Sequence, residues 1–186
     1  MTISTLDAET ALLVIDLQKG LMGLPMVHPV GDVVANAARL AESFRRHHLP
    51  VVLINVAGAP SGRTEHPSGL GALPDDWTAF VPELRQQASD HVVTKRTRGA
   101  FTNTDLAAYL AKHGVTQVVL AGVATGAGVE STARHAHELG YNVTLAVDAM
   151  TDRDADVHHN SVTRIFPRLG ETGTTRQILD LIDNRS

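Results

Sequence analysis

Residues 117–140 read QVVLAGVATGAGVESTARHAHELG. An apolar run from Gln117 to Ala121 ends in an elbow of small residues, Gly122 to Gly128, and a helical pattern runs from about Val129 to Leu139 and stops at Gly140. A strand apolar at every position is buried on both faces, the condition of a parallel sheet covered by helices on each side. The unit recurs along the chain. ALLVID (11–16), VVLINV (51–56) and HVVT (91–94) read as further buried strands, a fifth lies around 142–147 and ends at Asp148, and Glu171-Thr172-Gly173 reads as a short last one. Helical patterns separate them. Val33, Val34, Ala37, Leu40, Ala41 and Phe44 recur at three- and four-residue steps between Val30 and His48. LAAYLAKHG follows the capping run Thr102-Asn103-Thr104-Asp105 and stops at Gly114, and residues 155–166 put Val157, Ser161, Val162 and Ile165 on one face. Thr174 or Thr175 caps a last helix carrying Ile178, Leu179 and Ile182. Strands alternating with helices define one doubly wound α/β domain over residues 1–186.

Residues 57–76 break the alternation. They are rich in Gly, Pro and Ser without apolar periodicity, and a loop this long in a compact domain suggests a lid or a subunit contact. Trp77, Phe80 and Leu84 suggest one helical turn packed on the body.

The totals exclude several classes of function. The net charge of −4, with no basic run, gives no support to nucleic-acid binding. The absence of cysteine excludes a disulfide scaffold, a thiolate zinc site and a cysteine nucleophile. No apolar run approaches the ~20 residues of a membrane span, and the first ten residues do not read as a signal peptide. A cytoplasmic protein with no membrane partner is expected.

In open α/β sheets, ligands bind outside the carboxyl ends of the strands. Three features meet that condition here: Asp16 after the first strand, Lys95 after the third and the elbow after the fourth. A carboxylate and an ammonium meeting in that crevice would shift each other's pKa and serve acid–base chemistry, although a simple salt bridge uses the same residues.

ALLVIDLQ, TKRTRGAFTNTDL and VVLAGVATGAGVESTARHAHELGYNVTLAVDAMTD, in this order and spacing, resemble the isochorismatase-like hydrolase superfamily. That group includes nicotinamidases, N-carbamoylsarcosine amidases, other amide and ureide hydrolases, and isochorismatases. The resemblance covers residues 8 to 183 and implies a six-stranded, mostly parallel sheet with helices on both sides. In the amidases, an Asp, a Lys and a Cys form the catalytic triad. Asp16 and Lys95 match the first two, and Gly128 occupies the nucleophile position. The resemblance also implies a cis peptide between Val123 and Ala124, with Thr125 next in the elbow. It further implies a homo-oligomer. A glycine cannot attack a carbonyl, so the thioester route is closed. Ser131 and Thr132 fall inside the helix, and no histidine partner for Thr125 is evident from the sequence.

Isochorismatases of the superfamily also carry glycine at this position, and they cleave a vinyl ether without a covalent intermediate. By that analogy Asp16 is the general acid and Lys95 holds it. Gln18, Leu21, Arg96, Arg98 and Phe101 are the expected contacts of a small-molecule substrate. Ala124-Thr125-Gly126 departs from the Tyr-Ala-His of isochorismatases, and Thr97 stands where they tend to carry Arg. The alternative class is a family member without catalysis, acting as a small-ligand binder or an oligomeric scaffold.

No metal or cofactor is expected. His135 with His137, and His158 with His159, are spaced so that neither pair shares a helix face. The elbow does not spell a dinucleotide or P-loop fingerprint. Asp148, Asp152, Asp154 and Asp156 read as solvated residues or caps of the next helix.

Overall fold

The computed structural model describes residues 3–65 and 73–184. Six strands form one sheet: β1 (Thr10–Ile15), β2 (Val51–Val56), β3 (His91–Lys95), β4 (Gln117–Val123), β5 (Asn142–Thr151) and β6 (Glu171–Gly173), in the order β3-β2-β1-β4-β5-β6. Every neighbouring pair is parallel. The chain winds outward from β1 to one edge, returns, and winds outward from β4 to the other. The reversal falls between β1 and β4, where ligands of doubly wound sheets bind.

Burial explains the uninterrupted apolar runs. All six residues of β1 and all seven of β4 are buried. One layer holds Leu12, Val14 and Leu53 against α2 (Val30–Arg46) and against Ile178 and Ile182 of α6 (Thr175–Asp183). The other holds Leu13, Ile15, Val52 and Ile54 against α3 (Leu106–Lys112) and α4 (Glu130–Glu138). Thr174 starts α6 through a reciprocal capping box with Gln177.

Some element boundaries differ from the sequence reading. β5 runs on to Thr151, past Asp148. Its pairing with β4 is irregular between Leu120 and Gly122 and resumes at Gly122–Met150 and Val123–Thr151. Exposed Asp148 interrupts the apolar signal without ending the strand, because its carboxylate accepts hydrogen bonds from the N–H and hydroxyl of Thr175. The stretch 155–166 is not one helix. It divides into α5 (Ala155–Asn160), a π turn (Ser161–Ile165) and a short 3-10 turn (Phe166–Arg168). A one-turn helix, α1 (Lys19–Met22), occupies what reads as loop. The turn expected around Trp77, Phe80 and Leu84 is only Pro82–Leu84, while Phe80 bridges to Gln18. Within 57–76, residues 66–72 lie outside the described residues, and the rest has no helix or strand.

Candidate active site

Asp16 ends β1 with φ 55, a left-handed conformation that Asp tolerates better than most residues. Its N–H donates to the carbonyl of Ile54 at 2.8 Å, so the turn begins while the residue is still tied to β2. Lys95 ends β3, two strands away. Its Nζ donates to Asp16 Oδ2 at 2.7 Å and to the carbonyl of Thr97 at 3.2 Å. Asp16 is 4% exposed and Lys95 2%. The second carboxylate oxygen, Oδ1, is buried and has no hydrogen-bond partner among the described residues. Burial pushes the Asp16 carboxyl up from its ordinary 3.8 to about 6, against the opposing pull of Lys95.

The elbow closes the other side. Gly122, at φ +116, lies against β1 so closely that a Cβ would fall 1.9 Å from the carbonyl oxygen of Ile15. Only glycine permits that approach. The Val123–Ala124 peptide is cis. Thr125–Val129 then form a π turn leading into α4. A Cβ placed on Gly128 would lie 3.1 Å from Asp16 Oδ2, 3.1 Å from Ile15 Cγ2 and 3.2 Å from the carbonyl oxygen of Val123. Any side chain at 128 would thus point onto the Asp16 carboxylate. Thr132 faces the scaffold instead: it donates to the carbonyl of Gly128 and accepts from the N–H of Ala100.

Two residues at the elbow were not legible in the sequence. Thr125, fully buried, does have a histidine partner: its Oγ1 lies 2.9 Å from His158 Nδ1. They stand 33 positions apart, and His158 is one of ten histidines, so spacing carried no signal. Asp152 is neither solvated nor a helix cap. It is 7% exposed, and its Oδ2 accepts the N–H of Gly126 at 2.7 Å. Only Asp154 in that acidic run caps α5, accepting the N–H groups of Asp156 and Val157.

The expected substrate contacts fall in different places. Gln18 is fully buried, and its amide is occupied by backbone: Nε2 donates to the carbonyls of Val56 and Trp77, and Oε1 accepts the N–H of Val56. It pins the ends of β1 and β2 to the Trp77 segment. Leu21 is partly buried in the α2 layer. Arg96 is exposed and donates to the carbonyl of Ala57, and Arg98 is exposed. Phe101 is 6% exposed and packs into the α3–α4 layer beside His135 and Tyr141. Trp77, absent from the expected contacts, lies over Gly20, where a Cβ would meet its ring at 2.3 Å. A cavity of about 410 Å³ lies elsewhere, lined by Asp7, His137, Tyr141 and Glu171 among others, and does not reach Asp16, Lys95 or Gly128. Among the described residues, no cluster of three or more His, Asp or Glu side chains is placed to hold a metal ion.

A doubly wound parallel sheet with a buried acid, a buried lysine and a small-residue elbow at its topological switch defines a class of α/β protein whose strand ends carry the candidate site. The isochorismatase domain model matches residues 10–177, and the chain belongs to the isochorismatase family of hydrolases. It is 41% identical over 181 residues to the isochorismatase family protein YwoC of Bacillus subtilis (strain 168), covering 94% of each chain. It is 39% identical over 182 residues to the isochorismatase family protein YecD of Escherichia coli O157:H7, covering 93% of this chain and 96% of that one. Its fold is similar to the solved structure of an isochorismatase family protein from Burkholderia thailandensis, with a TM-score of 0.94 and 42% identity over 98% of this chain and 100% of that one.

Proposed function

We propose that the chain hydrolyses a small carboxylated substrate by acid–base chemistry, with vinyl ether cleavage as its concrete form. Asp16 is the general acid and Lys95 holds it. Gly128 is the vacated nucleophile position of the family's amidases. The observation that carries this reading is the Asp16 carboxylate. One oxygen, Oδ2, is fixed by Lys95 and faces the glycine whose missing side chain would crowd it, while the other, Oδ1, is buried and has no partner among the described residues. A buried carboxyl pushed up to about 6 keeps its proton up to about that pH, well above an ordinary carboxyl, and can release it. The proton goes to the enol-ether carbon, water adds to the oxocarbenium ion, and the resulting hemiketal collapses to release pyruvate. Proton and water suffice, so the step needs no cofactor. Arg96 and Arg98 are the cations available for the substrate's carboxylates.

Incubation of the purified protein with isochorismate tests this, with Asp16→Ala as control. Pyruvate release by the wild type, abolished in the variant, supports the reading; no release rejects isochorismate as substrate. The enclosure of Asp16 and Lys95 favours a second reading, a non-catalytic small-ligand binder, which predicts no turnover on any vinyl ether or amide.

A further inference from the structure

The elbow that carries Gly128 is gripped from its far side by the segment following β5. Asp152 takes the N–H of Gly126, His158 meets the hydroxyl of Thr125, and Val157 and Ser161 cover Gly126, where a Cβ would fall 2.2 Å from Val157 Cγ1. The His158 ring is in turn met edge-on by His28, with centroids 4.6 Å apart. His28 is tied to the end of β5 through its N–H and its Nδ1, both on the Thr151 hydroxyl.

The direction of the Thr125–His158 bond follows from burial. Thr125 is fully buried, so its hydroxyl hydrogen must find an acceptor inside the protein, and among the described residues Nδ1 of His158 is the atom at bonding distance. A neutral ring with its hydrogen on Nε2 accepts that bond. A charged ring cannot: Nδ1–H would donate to the threonine and strand the buried hydroxyl hydrogen. We propose that His158 is a positioning residue, whose neutral imidazole accepts the Thr125 hydroxyl and so fixes the turn that sets Gly128 against Asp16. The inference rests on the elbow beside Asp16 being the reacting site.

The surroundings favour that neutral state. Burial pushes His158 below its ordinary value, and His28 and His159 push the same way; Asp152 alone favours the charged ring. Because the folded-state value lies below the unfolded 6.5, the grip is complete above pH 6.5 and is lost as pH falls through the lower folded-state value.

Nuclear magnetic resonance on the intact protein tests the proposal without turnover. In the wild type at pH 7.5, the ¹⁵N shift of His158 Nδ1 is expected to be that of an unprotonated, hydrogen-bonded ring nitrogen; a protonated Nδ1 overturns the proposal. Amide exchange of Gly126, Ala127 and Val129 reports the elbow, since each N–H is hydrogen-bonded there. Their protection factors should fall by roughly tenfold or more in His158→Leu and in Thr125→Val, the order expected for loss of a buried hydrogen bond. In the wild type they should fall with acid, while core amides of β1 and β4 stay protected. His158→Asn keeps an acceptor at the same branch point, so it should retain the protection and lose its acid dependence. Elbow protection unchanged in His158→Leu, or acid loss persisting in His158→Asn, overturns the proposal. Failure of the isochorismate assay with these shifts present would reject the substrate and leave the positioning role standing.

Discussion

Replacing Lys95 by methionine separates the two effects that act on Asp16. Methionine matches the length of the buried stem but carries no charge, so the carboxyl keeps its burial and loses its ion pair. Burial alone then acts, and the acid holds its proton to a pH above 6. In the wild type the rise from 3.8 to about 6 means that the folded state binds the Asp16 proton more tightly than the unfolded chain. Stability from this group is full below 3.8 and is lost as pH rises through 6, a loss of roughly 3 kcal/mol that is complete above that point. In the variant the loss continues at about 1.4 kcal/mol per pH unit until the new, higher value is passed. At pH 4.5 the folded-state acid is protonated in both proteins and the proton-linked losses are equal. At pH 7.5 the variant should have lost up to roughly 2 kcal/mol more than the wild type. Urea unfolding at the two pH values, followed by the fluorescence of the sole tryptophan, Trp77, measures this directly. A stability difference that is the same at pH 4.5 and 7.5 would refute the coupling of Lys95 to a raised Asp16.

Other perturbations probe the elbow and the acid. Gly122→Ala forces a Cβ to 1.9 Å from the Ile15 carbonyl at a φ that side chains rarely adopt; thermal unfolding should show a loss of about 4 kcal/mol or more, or no folded protein. Gly128→Cys asks its neighbours to yield by only a few tenths of an ångström. It should fold, and its thiol, set against Asp16 and Lys95, should alkylate with iodoacetamide faster than a free thiol at the same pH; a slower rate would show that this position does not face a reactive pair. If Asp16 acts as general acid, kcat/KM on the productive substrate should fall as pH rises through about 6, and a profile flat from pH 5 to 8 would remove Asp16 from that role.

The parts legible in the sequence were those fixed by local pattern. Runs such as ALLVI and QVVLA announce strands buried on both faces, and the structure places them at the centre of the sheet. Asp16 and Lys95 were visible because each is a charge that ends an apolar run, and parallel strand ends must share one edge. Contacts made at long range were hidden. Asp152 looked like one of four similar acids, yet it alone turns inward, because the continuation of β5 past Asp148 carries it to the elbow. His158 met Thr125 only through the packing of α5 against that turn. Gln18 looked like a polar residue facing a ligand, but an amide among the open strand ends is also the best available partner for their unpaired backbone groups.

The direction of the Asp16 shift weighs between a structural and a chemical use of the pair. A carboxylate kept for an ion pair gains from its partner and titrates below its ordinary value. Here burial outweighs the lysine, and the carboxyl lies above it. Such a pair is a poor stabiliser, since the ionised acid carries a desolvation cost that Lys95 only partly offsets. The same balance suits proton transfer. With burial alone the acid would grip its proton too tightly to donate it, and a stronger partner would leave it ionised. Lys95 tempers the first, and among the described residues no donor to Oδ1 drives the second, so the proton is held up to about pH 6 and stays transferable there. With glycine at 128, no side chain from the elbow crowds the Lys95-bound Oδ2 of that carboxyl, which is why the acid rather than a nucleophile is the group we assign to the chemistry.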